Sequence, residues 1–472
     1  MIFILVALFC VIVPWVVGER YGVLRLVSPM HVSAYMAFAG ILVKSIYWQI
    51  FGGDIYFLNY NVTAESIFNG YAYIACFMMM LCLGYVLAIR KAEIRLSEFV
   101  NRSMNWGFRP GVLFILSSVT IVVVADALLG ARGFSIRDII SLEAFDQLNS
   151  RKVLRIEGVE GFGASQSAVK ALLIIPTAAL GLCLFQLLVR PGLKTVGYFC
   201  AFFLLEVIAV GLTAKRFALV DVLFLFVFCF VWHHKYANKR MQWMSLAYIL
   251  KLCVVVGMLA VLFVYMTNLR LSREETKKVN LELTDPIEQV LSSTYFMDIN
   301  VPIVVIERTP GLEKFHGTTY FYWSFGWIPR DFWPEKPAIT LGPYVKQYVF
   351  GLTGTVGGIV PTGPGEAFLN FGYWGMFVGL FLGAAYRKLE EFVLLGWVNE
   401  RGRALIYPLC VFPFVVGTLQ SSFSATFVSN VVAACIFLIL LRVVVRSNPL
   451  RNWRKNRFGK WQNVRRVRAK DY

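Results

Sequence analysis

The chain has 472 residues, of which 58% are hydrophobic and only 16% are charged, and its mean hydropathy is +0.64. A water-soluble protein of this length does not have that balance. The net charge of +18 does not indicate nucleic-acid binding, because the basic residues fall mainly between the apolar runs and in the C-terminal tail. The membrane topology and anionic lipid account for charges placed in this way.

The apolar runs predict about eleven membrane-spanning helices, because each run is long enough for a hydrocarbon core about 30 Å thick. The first run has neither a basic leader nor a small-residue cleavage site, so we expect a retained span and not a signal peptide. The predicted spans are residues 2–17, 30–50, 67–89, 111–129, 168–189, 197–213, 217–232, 244–266, 366–386, 404–419 and 428–445.

Basic residues are concentrated in every second connection between these spans. The positive-inside rule therefore places those connections and the tail in the cytoplasm, with the N-terminus outside. The expected fold class is all-α, a polytopic integral membrane protein. Residues 1–266 are predicted to hold the first eight spans and an outer loop at 130–167. Residues 267–365 then form a large helical loop on the outer face, residues 366–445 the last three spans, and residues 446–472 a basic cytoplasmic tail.

The stretch LTAKRFALVDVL, residues 212–223, joins two apolar runs with almost no loop between them. The predicted topology places Lys215 and Arg216 at the outer membrane face, against the bias of the positive-inside rule. Two interpretations stay open, namely that these cations bind an anion, or that they extend toward lipid headgroups. Two further cations, Arg270 and Arg273, follow the eighth span at a similar depth.

The large outer loop is dense in aromatic residues between positions 315 and 333. Such residues are typical of the lipid–water interface, but flat rings also pack against the C–H faces of sugars, and both interpretations stay open. The candidates for sugar binding are Tyr322, Trp323, Trp327 and Trp333. The stretch IPRDFWPEKP then carries Arg330 and Asp331, and a glycine-rich passage leads to Glu366.

The motif content argues against several reaction classes. The four histidines show no metal-binding spacing, and the chain has no HExxH, P-loop or GxSxG sequence. We therefore expect no metal and no other cofactor, and neither a hydrolase triad nor a nucleotide-driven pump. Three acidic residues, Glu206, Asp221 and Asp126, lie in or near apolar runs, but a transporter is typically richer in such groups.

Three stretches, TAKRFALVDVL, IPRDFWPEKP and GEAFLNFGYWGMFVGLFLG, occur in an order and spacing that resemble the Wzy-type polymerases of bacterial oligosaccharide repeat units. The many spans and the large, late outer loop match the layout of that family. The resemblance implies a GT-C-like glycosyltransferase of the bacterial inner membrane that acts at the periplasmic face without a metal. Its reaction transfers a growing glycan from undecaprenyl diphosphate onto the non-reducing end of a lipid-linked repeat unit.

The resemblance also implies partners. These are the undecaprenyl-diphosphate-linked oligosaccharide, membrane lipid and, as further candidates, a chain-length regulator and a flippase of the same pathway, with no role for nucleic acid. The leaving diphosphate requires fixed cations at the membrane surface, and arginine suits phosphate because of its planar, permanently charged group. The candidates in order are Arg216, Arg273, Arg330 and Arg270, with Lys215 at the same depth as Arg216.

The acceptor hydroxyl requires a base, or at least a hydrogen-bond acceptor. Glu366 is the leading candidate for this role because it lies at the outer end of the ninth predicted span. An alternative interpretation of Glu366, favourable placement of its charge at a helix N-terminus, stays equally open. The other candidates for the base are Asp331 and His316, together with Asp298 and Glu335.

Two other functions also stay open. An O-antigen ligase has a similar plan, but a functional histidine is expected in its large loop. Only His316 is available there, and GEAFLNFGYWG has no histidine before Asn370. A flippase for lipid-linked oligosaccharides should show charged residues in several spans and pseudo-repeats between its halves, and neither is evident in this sequence.

Overall fold

In the computed structural model, the described residues are 2–24, 26–51, 62–89, 107–130, 171–189, 191–213, 217–233, 296–328, 332–333, 335–352, 358–397 and 405–446. The N-terminal half forms α1 (Ile2–Tyr21), α2 (Pro29–Ala37), α3 (Val43–Phe51), α4 (Ala64–Leu87), α5 (Pro110–Gly130), α6 (Ile174–Val189), α7 (Leu193–Thr213) and α8 (Phe217–Val231). The C-terminal half forms α9 (Asn300–Arg308), α10 (Trp323–Gly326), α11 (Gly342–Tyr344), α12 (Gly363–Phe371), α13 (Met376–Glu391), α14 (Phe412–Gln420) and α15 (Phe423–Val444).

Short helical turns connect several of these helices. The 3-10 turns are Thr309–Gly311, Thr318–Phe321 and Gly372–Gly375, and the wider π turns are Phe38–Leu42, Val345–Val349, Phe392–Trp397 and Tyr407–Val411. Two strands of two residues, β1 (Gly107–Phe108) and β2 (Val445–Arg446), pair in antiparallel fashion. This pairing is too small to form a sheet layer, so the described fold is all-α.

Six helical stretches in the described residues are long and apolar enough to cross a membrane. They are Ile2–Tyr21, Ala64–Leu87, Pro110–Ala127, Leu193–Val210, Gly363–Leu394 and Phe423–Val444, and shorter apolar helices occupy Ile174–Leu188, Asp221–Val231 and Tyr407–Gln420. The protein is thus an all-α membrane protein, as its composition predicts. The predicted span at 244–266, most of the outer loop at 130–167 and the tail beyond Arg446 lie outside the described residues. The number of eleven spans and the GT-C-like arrangement therefore stay predictions.

Two of the predicted spans are interrupted. The span at 30–50 contains the π turn Phe38–Leu42, where the carbonyl of Gly40 accepts a hydrogen bond of 3.1 Å from the N–H of Ile299, outside its own helix. The span at 366–386 begins earlier, at Gly363, and breaks at Gly372, whose φ of 59° is easily adopted by glycine alone. Apolar periodicity does not reveal such a break, because the residues on both of its sides are equally apolar.

Helices α4 and α13 pack with their backbones in direct contact. Glycine recurs every fourth residue at Gly375, Gly379 and Gly383, which gives α13 a face without side chains. A Cβ atom on Gly379 would lie 2.5 Å from the carbonyl oxygen of Phe77, and one on Gly383 would lie 1.9 Å from that of Leu81. Later residues of α13 contact later residues of α4, so the two helices run parallel. The predicted topology expects this of two spans that both begin on the outer face.

A buried polar cluster joins α1, α4 and α13 at the C-terminal ends of the two parallel helices. Arg387 donates a hydrogen bond of 2.6 Å to the backbone carbonyl of Tyr21. Glu390, which is completely buried, accepts hydrogen bonds from the hydroxyl groups of Tyr85 and Tyr407. The guanidinium of Arg387 also lies 3.6 Å from the Glu390 carboxylate. These buried charges are therefore paired, which limits the cost of removing them from water.

An added methyl group at Gly383 is expected to destabilise the protein, because it would overlap the Leu81 carbonyl and force α4 and α13 apart. The Gly383→Ala variant should lose on the order of 1–3 kcal/mol, measured as a lower midpoint of thermal unfolding in detergent. Gly197→Ala in α7 is the matched control, because nothing lies within 4 Å of its added methyl group. Equal midpoints for the two variants would contradict the backbone contact.

Glu307 connects the end of α9 to the start of α4. Its carboxylate accepts hydrogen bonds from the N–H of Thr63 at 3.1 Å and from the Thr63 hydroxyl at 2.7 Å, and Thr63 is the N-cap of α4. Partial burial opposes ionisation, but hydrogen bonds from the side chains of Ser66 and Thr63 and from the Thr63 backbone hold the pKa of Glu307 below its usual value. A helix N-terminus also favours a nearby carboxylate.

The lowered pKa of Glu307 predicts a loss of stability in acid. A carboxyl group whose pKa is lower in the folded state stabilises that state above its unfolded pKa, and this contribution disappears as the pH falls through the folded pKa. The unfolding midpoint of the unmodified protein should therefore fall more steeply than that of Glu307→Gln between about pH 5 and pH 3. Parallel curves for the two proteins would show that Glu307 makes no such contribution.

Candidate functional site

The carboxyl group of Glu366 lies at the centre of the candidate site. Glu366 is in the first turn of α12 and is 1% exposed. One of its carboxyl oxygens accepts a hydrogen bond of 2.9 Å from the hydroxyl of Thr319, and the other accepts one of 2.7 Å from the backbone N–H of Phe423. Because Phe423 is the first residue of α15, the N-termini of two helices meet at this carboxyl group. This is the placement that the helix N-terminus interpretation of Glu366 expects.

Asn370 lies one turn after Glu366 and organises the loop that faces it. The amide nitrogen of Asn370 donates to the Thr319 hydroxyl oxygen and to the Glu366 carbonyl, both at 2.8 Å. Thr319 accepts the hydrogen bond from Asn370 and donates its own proton to the Glu366 carboxyl group. The three buried side chains therefore form a hydrogen-bond chain with one direction, from amide to hydroxyl to carboxyl.

Backbone contacts hold His316 next to this chain. The N–H of His316 donates to the carbonyl of Asn370 at 3.2 Å, and the N–H of Gly317 donates to the Asn370 side-chain oxygen at 2.9 Å. Positive φ angles of 48° at His316 and 88° at Gly317 turn the chain back toward Thr319. The His316 side chain is exposed. Two candidate catalytic residues, His316 and Glu366, thus both lie adjacent to Asn370.

The turn between α14 and α15 closes another side of the site. The hydroxyl of Ser422 accepts a hydrogen bond of 2.9 Å from the N–H of Leu341, and the hydroxyl of Ser424 donates to the carbonyl of Thr319. Phe423, between the two serines, donates its N–H to the carboxyl group of Glu366. Residues 422–424 therefore connect the turn between α14 and α15 to two parts of the large loop, at Leu341 and Thr319, and to α12.

Of the four aromatic residues predicted to bind sugar, two are half-buried and two are exposed. Trp323 and Tyr322 are half-buried, and the ring of Trp323 packs against Phe427 of α15 with 5.2 Å between centroids. Trp327 and Trp333 keep 42% and 39% of their surface exposed. These two tryptophans are available to contact either a sugar ring or lipid, so both interpretations of the aromatic stretch stay open.

The five predicted diphosphate-binding cations and one candidate for the base lie outside the described residues. They are Lys215, Arg216, Arg270, Arg273, Arg330 and Asp331. Their roles stay predictions. Glu335, a further candidate for the base, is described and exposed.

Asp298, also a candidate for the base, takes part in a buried ion pair. One of its carboxyl oxygens lies 3.0 Å from the ammonium of Lys44, and the exposed fractions of the two side chains are 0% and 3%. The other oxygen accepts hydrogen bonds of 3.1 Å from the N–H and the amide group of Asn300. Burial raises the pKa of Asp298, while the charge of Lys44 lowers it. The pair joins α3 to the loop before α9 and leaves Asp298 no surface for a substrate.

The sequence interpretation did not identify Lys44, Thr319 or Asn370. Lys44 is visible as a lone cation in a predicted span, and such a charge requires a partner. The signal for Asn370 is its spacing of four residues from Glu366, which places both on one face of a helix. Thr319 has no local signal, because its contact with Glu366 joins positions 47 residues apart.

Replacing Thr319 by valine keeps the shape of the side chain but removes its hydrogen bonds to the Glu366 carboxyl group and the Asn370 amide. We expect a loss of about 1–3 kcal/mol, because the Asn370 amide and the Glu366 carboxyl group each lose a buried partner. The measurement is the midpoint of thermal unfolding in detergent. Thr318→Val is the neighbouring control, since its exposed hydroxyl bonds to the carbonyl of Phe315. A Thr319→Val midpoint as high as that of the control would contradict the proposed chain.

Comparison with known proteins reveals no relative from which a role could be transferred to these residues. No protein-family model, no curated protein and no solved structure matches the chain.

Proposed function

We propose that the protein is a glycosyltransferase that polymerises lipid-linked oligosaccharide repeat units at the periplasmic face of a bacterial inner membrane. It transfers the growing glycan from undecaprenyl diphosphate to the non-reducing end of a repeat unit and uses no metal. The observation that carries the proposal is the buried hydrogen-bond chain of Glu366, Thr319 and Asn370, whose Thr319 belongs to the same loop as the exposed Trp327 and Trp333. Two of its members, Glu366 and Asn370, belong to GEAFLNFGYWGMFVGLFLG, one of the stretches that resemble Wzy-type polymerases.

In this proposal Glu366 accepts the proton of the attacking hydroxyl group. The acceptor oxygen forms a bond to the anomeric carbon of the donor sugar, and the bond from that carbon to the diphosphate breaks. The diphosphate leaves with the electron pair of the broken bond, and the proton passes to the carboxyl group. The hydrogen bonds from Thr319 and Phe423 fix the two carboxyl oxygens, so that the base is oriented before the substrate binds.

Access to Glu366 requires a movement of the loop around Thr319, because the carboxyl group is buried. The contacts that must open are the hydrogen bond from Ser424 to the Thr319 carbonyl and the packing of Tyr320 against Phe423, whose ring centroids are 5.6 Å apart. Loops that close over a substrate and exclude water are common in transferases and hydrolases. Binding of the glycan on the exposed tryptophans of the same loop is the event that would open it.

A ligase-like transferase is the second candidate function. The observation that favours it is the exposed side chain of His316 in the large loop. The backbone N–H of His316 donates to the carbonyl of Asn370, which lies one helical turn after Glu366. Such an enzyme would transfer a finished glycan to a different acceptor, and its products would not form a ladder.

The proposal is tested with purified protein in nanodiscs and the undecaprenyl-diphosphate repeat unit, without nucleotide sugar or added metal. Products should form a ladder spaced by one repeat, and Glu366→Gln should lower the rate at least about a hundredfold. Glu390→Gln is the matched control, because it changes another buried glutamate, which lies near the C-terminal end of α13 and far along the chain from α12. Its rate per folded molecule should stay near that of the unmodified protein.

Three outcomes would contradict this proposal. A ladder that Glu366→Gln leaves unchanged would remove Glu366 from the reaction. Transfer in a single step to another acceptor would indicate a ligase. Movement of the lipid-linked sugar across a sealed bilayer, without any ladder, would indicate a flippase.

A further inference from the structure

We infer that Lys314 binds the diphosphate of the lipid-linked donor, beside the break between α12 and α13 at Gly372. This inference rests on the proposed function and adds to it a specific anion-binding group. Lys314 is absent from the cations that the sequence singled out, which lie outside the described residues.

The backbone around Lys314 is fixed to the C-terminal turn of α12. The N–H groups of the next two residues donate to that turn, Phe315 to the carbonyl of Leu369 at 3.1 Å and His316 to that of Asn370 at 3.2 Å. Asn370 in turn belongs to the hydrogen-bond chain of Glu366. The position of Lys314 relative to the proposed base is therefore set by hydrogen bonds.

The side chain of Lys314 reaches the break between α12 and α13. Its ammonium lies 3.1 Å from the place that a Cβ atom on Gly372 would occupy. The ring of the next residue, Phe315, packs instead against Tyr344, with 4.8 Å between the ring centroids.

The ammonium of Lys314 is exposed, and no residue that the structure describes forms a hydrogen bond or an ion pair with it. A lysine that only capped α12 would donate to the last carbonyl groups of that helix. Lys314 instead keeps three donors and a full charge available, which is what a phosphate group binds. Two exposed aromatic residues come directly after Gly372, namely Tyr373, with 53% of its surface exposed, and Trp374, with 73%. Rings of this kind mark the depth of lipid headgroups.

Lys314 and Glu366 lie near opposite ends of α12. Gly372 follows Glu366 by six residues, and an α-helix rises 1.5 Å per residue, so these two backbone positions are separated by about 9 Å along the helix axis. That separation leaves room for the donor sugar, whose anomeric carbon must lie between the base and the leaving diphosphate. The exposed His316 is held by its backbone N–H at the same end of α12 as Lys314.

The test is a binding measurement that needs no turnover, with farnesyl diphosphate titrated into the full chain in nanodiscs of neutral lipid. Lys314→Gln should weaken binding at least about tenfold, which corresponds to about 1.4 kcal/mol. Lys314→Arg should bind within a few-fold of the unmodified protein, because it keeps the charge. Lys194→Gln, which removes another exposed lysine at the start of α7, should leave the affinity unchanged.

Competition experiments identify the source of the anion. Unlabelled farnesyl diphosphate should displace the probe, whereas inorganic diphosphate and phosphatidylglycerol should do so only at much higher concentrations. Equal displacement by phosphatidylglycerol would overturn the inference in favour of a general anionic headgroup surface. Unchanged binding by Lys314→Gln, an equal loss in Lys194→Gln, or no binding to the unmodified protein would overturn it too.

The two proposals fail in different ways. Lys314-dependent binding without a product ladder would remove the polymerase function and leave a prenyl-diphosphate site. A ladder made by protein that binds the probe independently of Lys314 would keep the function and remove this site.

Discussion

The backbone contact between α4 and α13 is the constraint on which the rest of the structure depends. Helices in lipid gain little hydrophobic energy from one another, so close packing between small residues must stabilise their association. Just before α13, a Cβ atom on Gly375 would lie 2.3 Å from the carbonyl oxygen of Ala367 in α12 and 2.6 Å from the hydroxyl of Tyr73 in α4. Gly375 therefore lets the chain after the break at Gly372 pack closely on both α12 and α4. That position determines where α12, and with it Glu366, can lie.

The buried carboxyl groups of Glu390, near the C-terminal end of α13, and of Glu366, in the first turn of α12, have different partners. Glu390 lies beside Arg387 and two tyrosine hydroxyl groups, a set of partners that includes a charge of opposite sign. The hydrogen-bond donors to Glu366 within the described structure, Thr319 and the N–H of Phe423, are both neutral. A buried carboxyl group of the second kind is typical of sites that exchange protons, whereas one of the first kind is typical of structural contacts.

The sequence predicted the positions of the described membrane helices well, because an apolar run reports directly on the environment of the residues within it. It also singled out Glu366 and His316 as candidates, since ionisable residues at the end of a span or in a large outer loop are unusual, and their roles stay predictions. It did not reveal that Asn370 lies next to both, nor that Lys44 binds Asp298 and removes it from the accessible groups. The regular spacing of glycines on α13 is visible in the sequence. The sequence around these glycines does not show that they pack against α4.

The sequence by itself thus determined that the chain is an all-α membrane protein and roughly where its long apolar helices lie, but not where two of them are interrupted. The physical reason is that a bilayer admits only apolar segments whose backbone hydrogen bonds are satisfied internally. The tertiary structure alone decided which polar groups meet. Thr319 reaches Glu366, and Lys314 lies at Gly372, because two backbone hydrogen bonds and a turn of positive φ direct the loop onto α12. Contacts of this kind depend on packing between distant segments, which no local pattern of apolar and polar residues records.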